Sequence, residues 1–117
     1  MAQFEAGYSP HDWSDSEMRD YAASIDPSMP VDRGIVRAVR VLRDAGFVTI
    51  ESCEGGEGHS YPEPTIKFQA TRAGGWHALG TLMDYGFPIH RIGRMWTMTE
   101  GMPTGPEWHV TFWKRLD

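Results

Sequence analysis

Two short passages of this 117-residue chain have similar counterparts further along it. Asp44-Ala-Gly-Phe47 returns as Asp84-Tyr-Gly-Phe87, and Pro62-Glu-Pro-Thr-Ile-Lys-Phe68 returns as Pro106-Glu-Trp-His-Val-Thr-Phe112. The first pair puts glycine where a helix would stop, since the left-handed conformation that ends a helix suits a residue without a Cβ. The second alternates apolar and polar residues with the period of a strand. Helix, strand and strand, in that order and twice over, predict an α+β fold of two α-β-β repeats, residues 31–70 and 71–117, related by a pseudo-twofold. They would form a four-stranded antiparallel sheet with two helices on one face, in a single domain 31–117. Residues 1–30, interrupted by Pro10, Pro27 and Pro30, form an N-terminal arm packed on it.

The elements follow from periodicity and breakers. A helix over 31–45 groups Val31, Ile35, Ala38, Val39, Leu42 and Ala45 on one side. Strands follow at 47–52 and 65–70, then a helix over 71–85 with Trp76, Leu79, Gly80 and Met83 turned inward. A strand over 88–98, a turn through Glu100 to Pro106 and a strand over 108–114 close the chain. Ile66, Phe68, Val110 and Phe112 would face the helices, with Thr65, Lys67, His109, Thr111 and Trp113 opposite. An exposed Trp113 calls for a cover, supplied by the arm or by a second subunit. The arm's Phe4, Tyr8, Trp13, Met18 and Tyr21 are too apolar for a disordered tail, and Ser14 with Glu17 makes a capping box for a helix near 14–23.

Charge limits the partners. At a net −5 the chain is poorly suited to a broad phosphate-binding surface, so nucleic acid is not the expected partner. The Arg33, Arg37 and Arg40 stripe, with Arg43 beside it, reads as a solvated helix face, or else as partners for the acidic residues of the arm. The single cysteine forms no internal disulfide. With no signal peptide, lipidation pattern or apolar run of about 18 residues, the expected address is cytoplasmic, in a prokaryote or an infected host cell, without a membrane partner.

Unusual chemistry collects between the first two strands. Cys53 and His59 are the candidate catalytic pair, a thiol nucleophile with an imidazole base. However, Glu51, Glu54 and Glu57 make an acidic rather than an electropositive surrounding, no third member of a triad is identifiable, and a buried, unreactive cysteine fits better. Cys53 and His59 are also the candidate metal ligands, although no C-x-x-C or H-x-x-x-H spacing fixes a site and the glutamates lack the spacing of a calcium loop. No cofactor is expected. Gly55-Gly-Glu-Gly58 is neither a P-loop nor a dinucleotide fingerprint, because no Lys-Ser/Thr follows and the next element is a strand. Glu63 and Glu107 follow a proline at equivalent places in the repeats. A cleft shared between them would bind a cationic or amide-rich partner or support acid–base chemistry, whereas the plainer reading is that Pro-Glu merely enters a strand.

The run from Glu51 to Phe68, with Pro10-His-Asp-Trp13 and the closing Gly105-Pro-Glu-Trp-His-Val-Thr-Phe112, resembles a group of small uncharacterised bacterial and phage proteins with an ESCEGGxGHxYPEPTIxF motif. That resemblance spans most of the chain and implies an origin without a mechanism. Ser52, Cys53 and Gly55 are also similar to the Ser-Cys-x-Gly motif of the tRNA wybutosine-synthesis methyltransferase family, whose methyl-donor cofactor and substrate are not carried over on three residues.

The expected function is therefore binding. Glu54, Glu57, His59, Tyr61, Glu63 and Glu107, on the 53–63 loop and an equivalent 99–107 loop, would recognise a partner, most simply a protein. A phage-encoded inhibitor or regulator of a host protein fits the size and acidity. Two alternatives stay open: an enzyme or metal-dependent site using Cys53, His59 and Glu54 or Glu63 on a nucleotide or modified base, and a structural homodimer without catalytic activity. The balance leans away from an enzyme.

Overall fold

The computed structural model describes residues 7–117, and Phe4 of the arm lies outside them. After a 3-10 turn at Pro10–Asp12, the order is α1 (Asp15–Ile25), α2 (Val36–Asp44), β1 (Val48–Cys53), β2 (Thr65–Gln69), α3 (Arg72–Asp84), β3 (Ile89–Thr99) and β4 (Met102–Phe112). The four strands make one antiparallel sheet in the order β1-β2-β4-β3, with Ile66 opposite Val110 at the central seam. α2 and α3 bury Ile35, Ala38, Val39, Leu42, Ala78, Leu79 and Leu82 against Ile66, Phe68, Trp108, Val110 and Phe112. The chain is an α+β fold, and no helix among the described residues is long and apolar enough to cross a membrane.

The repeated Asp-x-Gly-Phe passages are two helix ends of one kind. Gly46, at φ +92°, donates its N–H to the Arg43 carbonyl and Phe47 donates to Leu42; Gly86, at φ +80°, donates to Met83 and Phe87 to Leu82. Both sets satisfy carbonyls that a helix end leaves open. Each phenylalanine then packs against the core.

Several expectations need correction. α2 begins at Val36 rather than Val31, because the polar groups of Asp32 and Gly34 are engaged by the end of β1 and hold 32–35 as a turn. α3 is rolled about its axis: Gly75, Ala78, Leu79 and Leu82 are buried, while Trp76 and Met83 are exposed. The cause is Trp108. A methyl carbon added at Gly75 would lie 1.9 Å from Trp108 Cε2, so the helix comes closest where it has no side chain. The turn expected over 100–106 is only Glu100–Gly101, at φ +52° and +78°, conformations that suit a tight hairpin connection. Residues 99–107 are thus mostly strand, and Pro103 and Pro106 are tolerated because β2 pairs with β4 only as far as Trp108.

The described part of the arm, residues 7–30, lies against the helices. Ser14 caps α1 by accepting from the Glu17 N–H at 3.0 Å, and Met18 and Ala22 pack against Val36. Arg33 and Arg37 pair with Asp15, and Arg40 pairs with Glu17 while its guanidinium lies 4.0 Å from the Trp13 ring centre. The arginine stripe is therefore largely a seam to the arm rather than a free solvated face. Trp113 stays 66% exposed and stacks on His90.

The contact at Gly75 makes a paired prediction. Gly75→Ala should lower stability by about 3 kcal/mol through overpacking against Trp108. Gly80→Ala, where an added methyl meets nothing within 4 Å, should raise it by about 0.5–1 kcal/mol through helix propensity. Urea midpoints at unchanged slope measure both, and a Gly75→Ala protein as stable as the parent would remove Trp108 as the reason for the helix rotation.

Candidate functional site

The segment between β1 and β2 is tied back on itself. Gly55, at φ +80°, sits against the far end of the loop so closely that a Cβ would lie 2.4 Å from the Glu63 carbonyl carbon. No other residue satisfies both the dihedral and the space. Gly56 N–H then bonds the Pro62 carbonyl at 3.1 Å, and His59 N–H bonds the Gly56 carbonyl at 3.1 Å. His59 is consequently carried back toward the strand end that holds Cys53.

Cys53 and His59 are brought together, with a third group that the sequence did not reveal. Asp32, Cys53 and His59 each present a ligand atom, and these atoms lie within 4.8 Å of one another. Asp32 Oδ2 accepts the Glu54 N–H at 3.0 Å and lies 3.7 Å from His59 Nδ1. Glu54 Oε2 lies 3.5 Å from the other ring nitrogen, while its Oε1 accepts the Gly34 N–H at 2.8 Å and faces Arg115 at 3.1 Å. Cys53 is buried, and its sulfur accepts the Gly55 N–H at 3.4 Å. Asp32 was hidden because Val31 to Ala45 scans as one helix, in which an acidic first turn needs no further explanation. The available hint was the Asp-x-Gly spacing of Asp32 and Gly34, a turn signature as well as a helix start.

This cluster borders a cleft of about 520 Å³. Ile25, Met29, Pro30 and Val31 form one wall, Thr49 to Cys53 of β1 another, and Gly58, His59 and Ser60 a third. Its charged lining is Asp26, Asp32 and Glu51 against Arg43.

The other expected binding residues are placed elsewhere. Glu57 is exposed on the loop. Tyr61 donates its hydroxyl to Glu51 at 3.0 Å, and Glu51 also pairs with Lys67 at 3.1 Å. Lys67 first, and Tyr61 after it, hold the Glu51 carboxyl below its usual range. Glu63 hydrogen-bonds His90 and accepts from Arg91 at 2.6 Å, and His90 leads in holding its carboxyl low. Glu107 does not join it. Pro64 bonds Phe112 at the end of β4, while Glu107 faces Met95 five positions earlier, roughly 16 Å along the strand. The two carboxylates are therefore not brought together.

His109 occupies the outer sheet face opposite Lys67 and Gly93. Its Nε2 is buried and has no hydrogen-bond partner among the described residues. Burial, and then the Lys67 ammonium, push its pKa below the ordinary 6.5.

Comparison with protein-family models, curated proteins and solved structures gave no match, so the site is interpreted from its own geometry.

The depressed His109 pKa fixes a pH response. Below 6.5 the unfolded chain takes up a proton that the folded chain resists, so stability is complete above that pH and declines as pH falls beneath it. The depressed carboxyls of Glu51 and Glu63 act in a separate window, their contribution being lost only as pH falls below about 4.5. His109→Gln should therefore flatten the dependence of the urea midpoint on pH between about 6.5 and 5. An unchanged slope in the variant would rule out His109 as its source.

Proposed function

We propose that this chain is a small binding protein that takes an extended segment of a protein partner into the cleft beside β1. The observation that carries this reading is that β1 is an edge strand, hydrogen-bonded to β2 alone, and its residues 49–53 form a wall of the cleft. An edge strand beside a recess can receive a further strand, with main-chain bonds giving affinity and alternate side chains giving selectivity. Ile25, Met29, Val31 and Ile50 offer apolar contact, and Asp26, Asp32 and Glu51 favour a basic side chain on the partner. Selectivity thus comes from the shape and charge of this recess, whose lining does not include Glu54 or Glu63. Of the loop residues expected to bind, His59 lines the recess. A phage-encoded inhibitor or regulator of a host protein is a natural setting for such a module.

The test is a panel of extended peptides alternating apolar residues with Lys or Arg, read by fluorescence polarisation and by backbone amide shifts. The expected result is micromolar binding that weakens about tenfold with Asp26→Lys, is unchanged by Glu107→Lys, and shifts amides of 26–32, 49–53 and 57–60. Failure of the whole panel to bind, or shifts confined to the β3–β4 hairpin, would sink the reading.

A further inference from the structure

We propose that Asp32, Cys53 and His59 form a Zn2+ site with three protein ligands and a fourth position facing the cleft. The inference stands on side-chain geometry and does not depend on the peptide reading above.

Mixed sulfur, nitrogen and oxygen donors suit zinc. A thiolate and an imidazole select against calcium and magnesium, which take oxygen ligands, and a single carboxylate completes a zinc set. A tetrahedral ion with bonds of about 2.0–2.3 Å holds its donor atoms roughly 3.3–3.7 Å apart. His59 Nδ1 and Asp32 Oδ2 are already 3.7 Å apart, and the whole donor set lies within 4.8 Å. Drawing the set onto an ion requires only a small contraction of it, from a spread within 4.8 Å, and His59 is the member with room to adjust. It lies in an exposed segment next to Gly58, where space around the backbone is open.

The surroundings match those of a metal-bound histidine. With Nδ1 turned to Asp32, the opposite nitrogen Nε2 lies 3.5 Å from Glu54 Oε2, which places a carboxylate on the side where a metal-bound histidine takes its outer partner. Glu54 is held for that task by the Gly34 N–H and by Arg115. Asp32 is oriented by the Glu54 N–H, and Cys53 by its place at the end of β1 with the Gly55 N–H on its sulfur. On binding, the Cys53 S–H proton is released to solvent and sulfur donates an electron pair to the ion; no redox change occurs.

A metal-free Cys-His-Asp nucleophile would use the same residues, so the experiment has to see the ion. Protein prepared without a histidine tag and freed of metal by chelation is titrated with Co2+ and then with Zn2+, without peptide. One equivalent of Co2+ should produce intense tetrahedral visible bands and a thiolate-to-cobalt charge-transfer band in the near ultraviolet, both removed by one equivalent of Zn2+. Cys53→Ser should abolish the charge-transfer band. Asp32→Asn and His59→Gln should weaken binding by about 100-fold, and Glu54→Gln by about 10- to 100-fold. His90→Gln should leave binding unchanged. Circular dichroism of each variant separates lost ligation from lost folding, and wild-type protein supplies the decisive spectrum even where a variant does not fold. No charge-transfer band at one equivalent in wild-type protein, or cobalt affinity unaltered by Cys53→Ser in a folded variant, overturns the proposal. The metal-free nucleophile reading predicts the first of these outcomes. Peptide binding by the metal-free protein is scored separately, so either reading can fail while the other stands.

Discussion

The turn at Asp32–Gly34 and the residue after β1, Glu54, are tied by two reciprocal side-chain-to-backbone hydrogen bonds, and the arrangement of the site depends on that pair. The Glu54 N–H goes to Asp32, the Gly34 N–H goes to Glu54, and Arg115 approaches the same carboxylate. Leu116 completes the knot by donating its N–H to the Gly34 carbonyl at 2.8 Å. Three distant parts of the chain are thereby fixed at one point: the turn before α2, the end of β1 and the C-terminal tail. Hydrogen bonds to charged groups contribute about 1.5–3 kcal/mol each where they are shielded from water, and both carboxylate bonds are partly buried. Since α2 starts only after this turn, the same bonds set where the helix begins.

At the other side of the domain the corresponding constraint is steric. Trp108 fills the space under α3, stacking on Phe68 and meeting the edge of Trp76, and α3 adapts by presenting Gly75 to it. Rotation of the helix then leaves Trp76 and Met83 outside. The β3–β4 hairpin runs on past the last β2 pairing, so among the described residues no third strand or helix covers Met95, Trp96, Met98 and Met102. The two edges of the sheet consequently differ in kind. The β3 edge is a projecting hairpin, whereas the β1 edge borders a recess walled by residues from 25–32 and by Gly58, His59 and Ser60. That asymmetry arises although the strand order β1-β2-β4-β3 is itself symmetric about the central pair.

Local physics was readable from the sequence wherever one residue type has one use. Gly46 and Gly86 as helix ends, Ser14 as a cap, and the alternation of Ile66, Phe68, Val110 and Phe112 each follow from backbone conformation or burial period alone. The α+β class followed from their order. What was not readable depended on partners distant in sequence. The face of α3 turns on Trp108, which periodicity within α3 cannot contain. The hairpin turn was misplaced because Pro103 and Pro106 look like loop residues until β4 is known to lack a neighbour there. The glutamates of the loop looked like an acidic surface because their partners, Gly34, His90, Arg91 and Arg115, come from other elements.

The same limit explains the candidate site itself. Metal and catalytic motifs are legible in sequence when their ligands share an element, because helical or turn spacing then fixes the geometry. Here Cys53 comes from the end of β1, His59 from a loop folded back by the Gly56–Pro62 bond, and Asp32 from a turn before α2. Spacing encodes nothing across such joins. What the sequence does encode is the means of closure: Gly55 can approach Glu63 only without a side chain, and Glu54 can bridge to Gly34 and His59 only by following Cys53 directly. Gly55 and Glu54 therefore determine whether Asp32, Cys53 and His59 meet, and the chemistry of the three rests on two residues that supply no ligand.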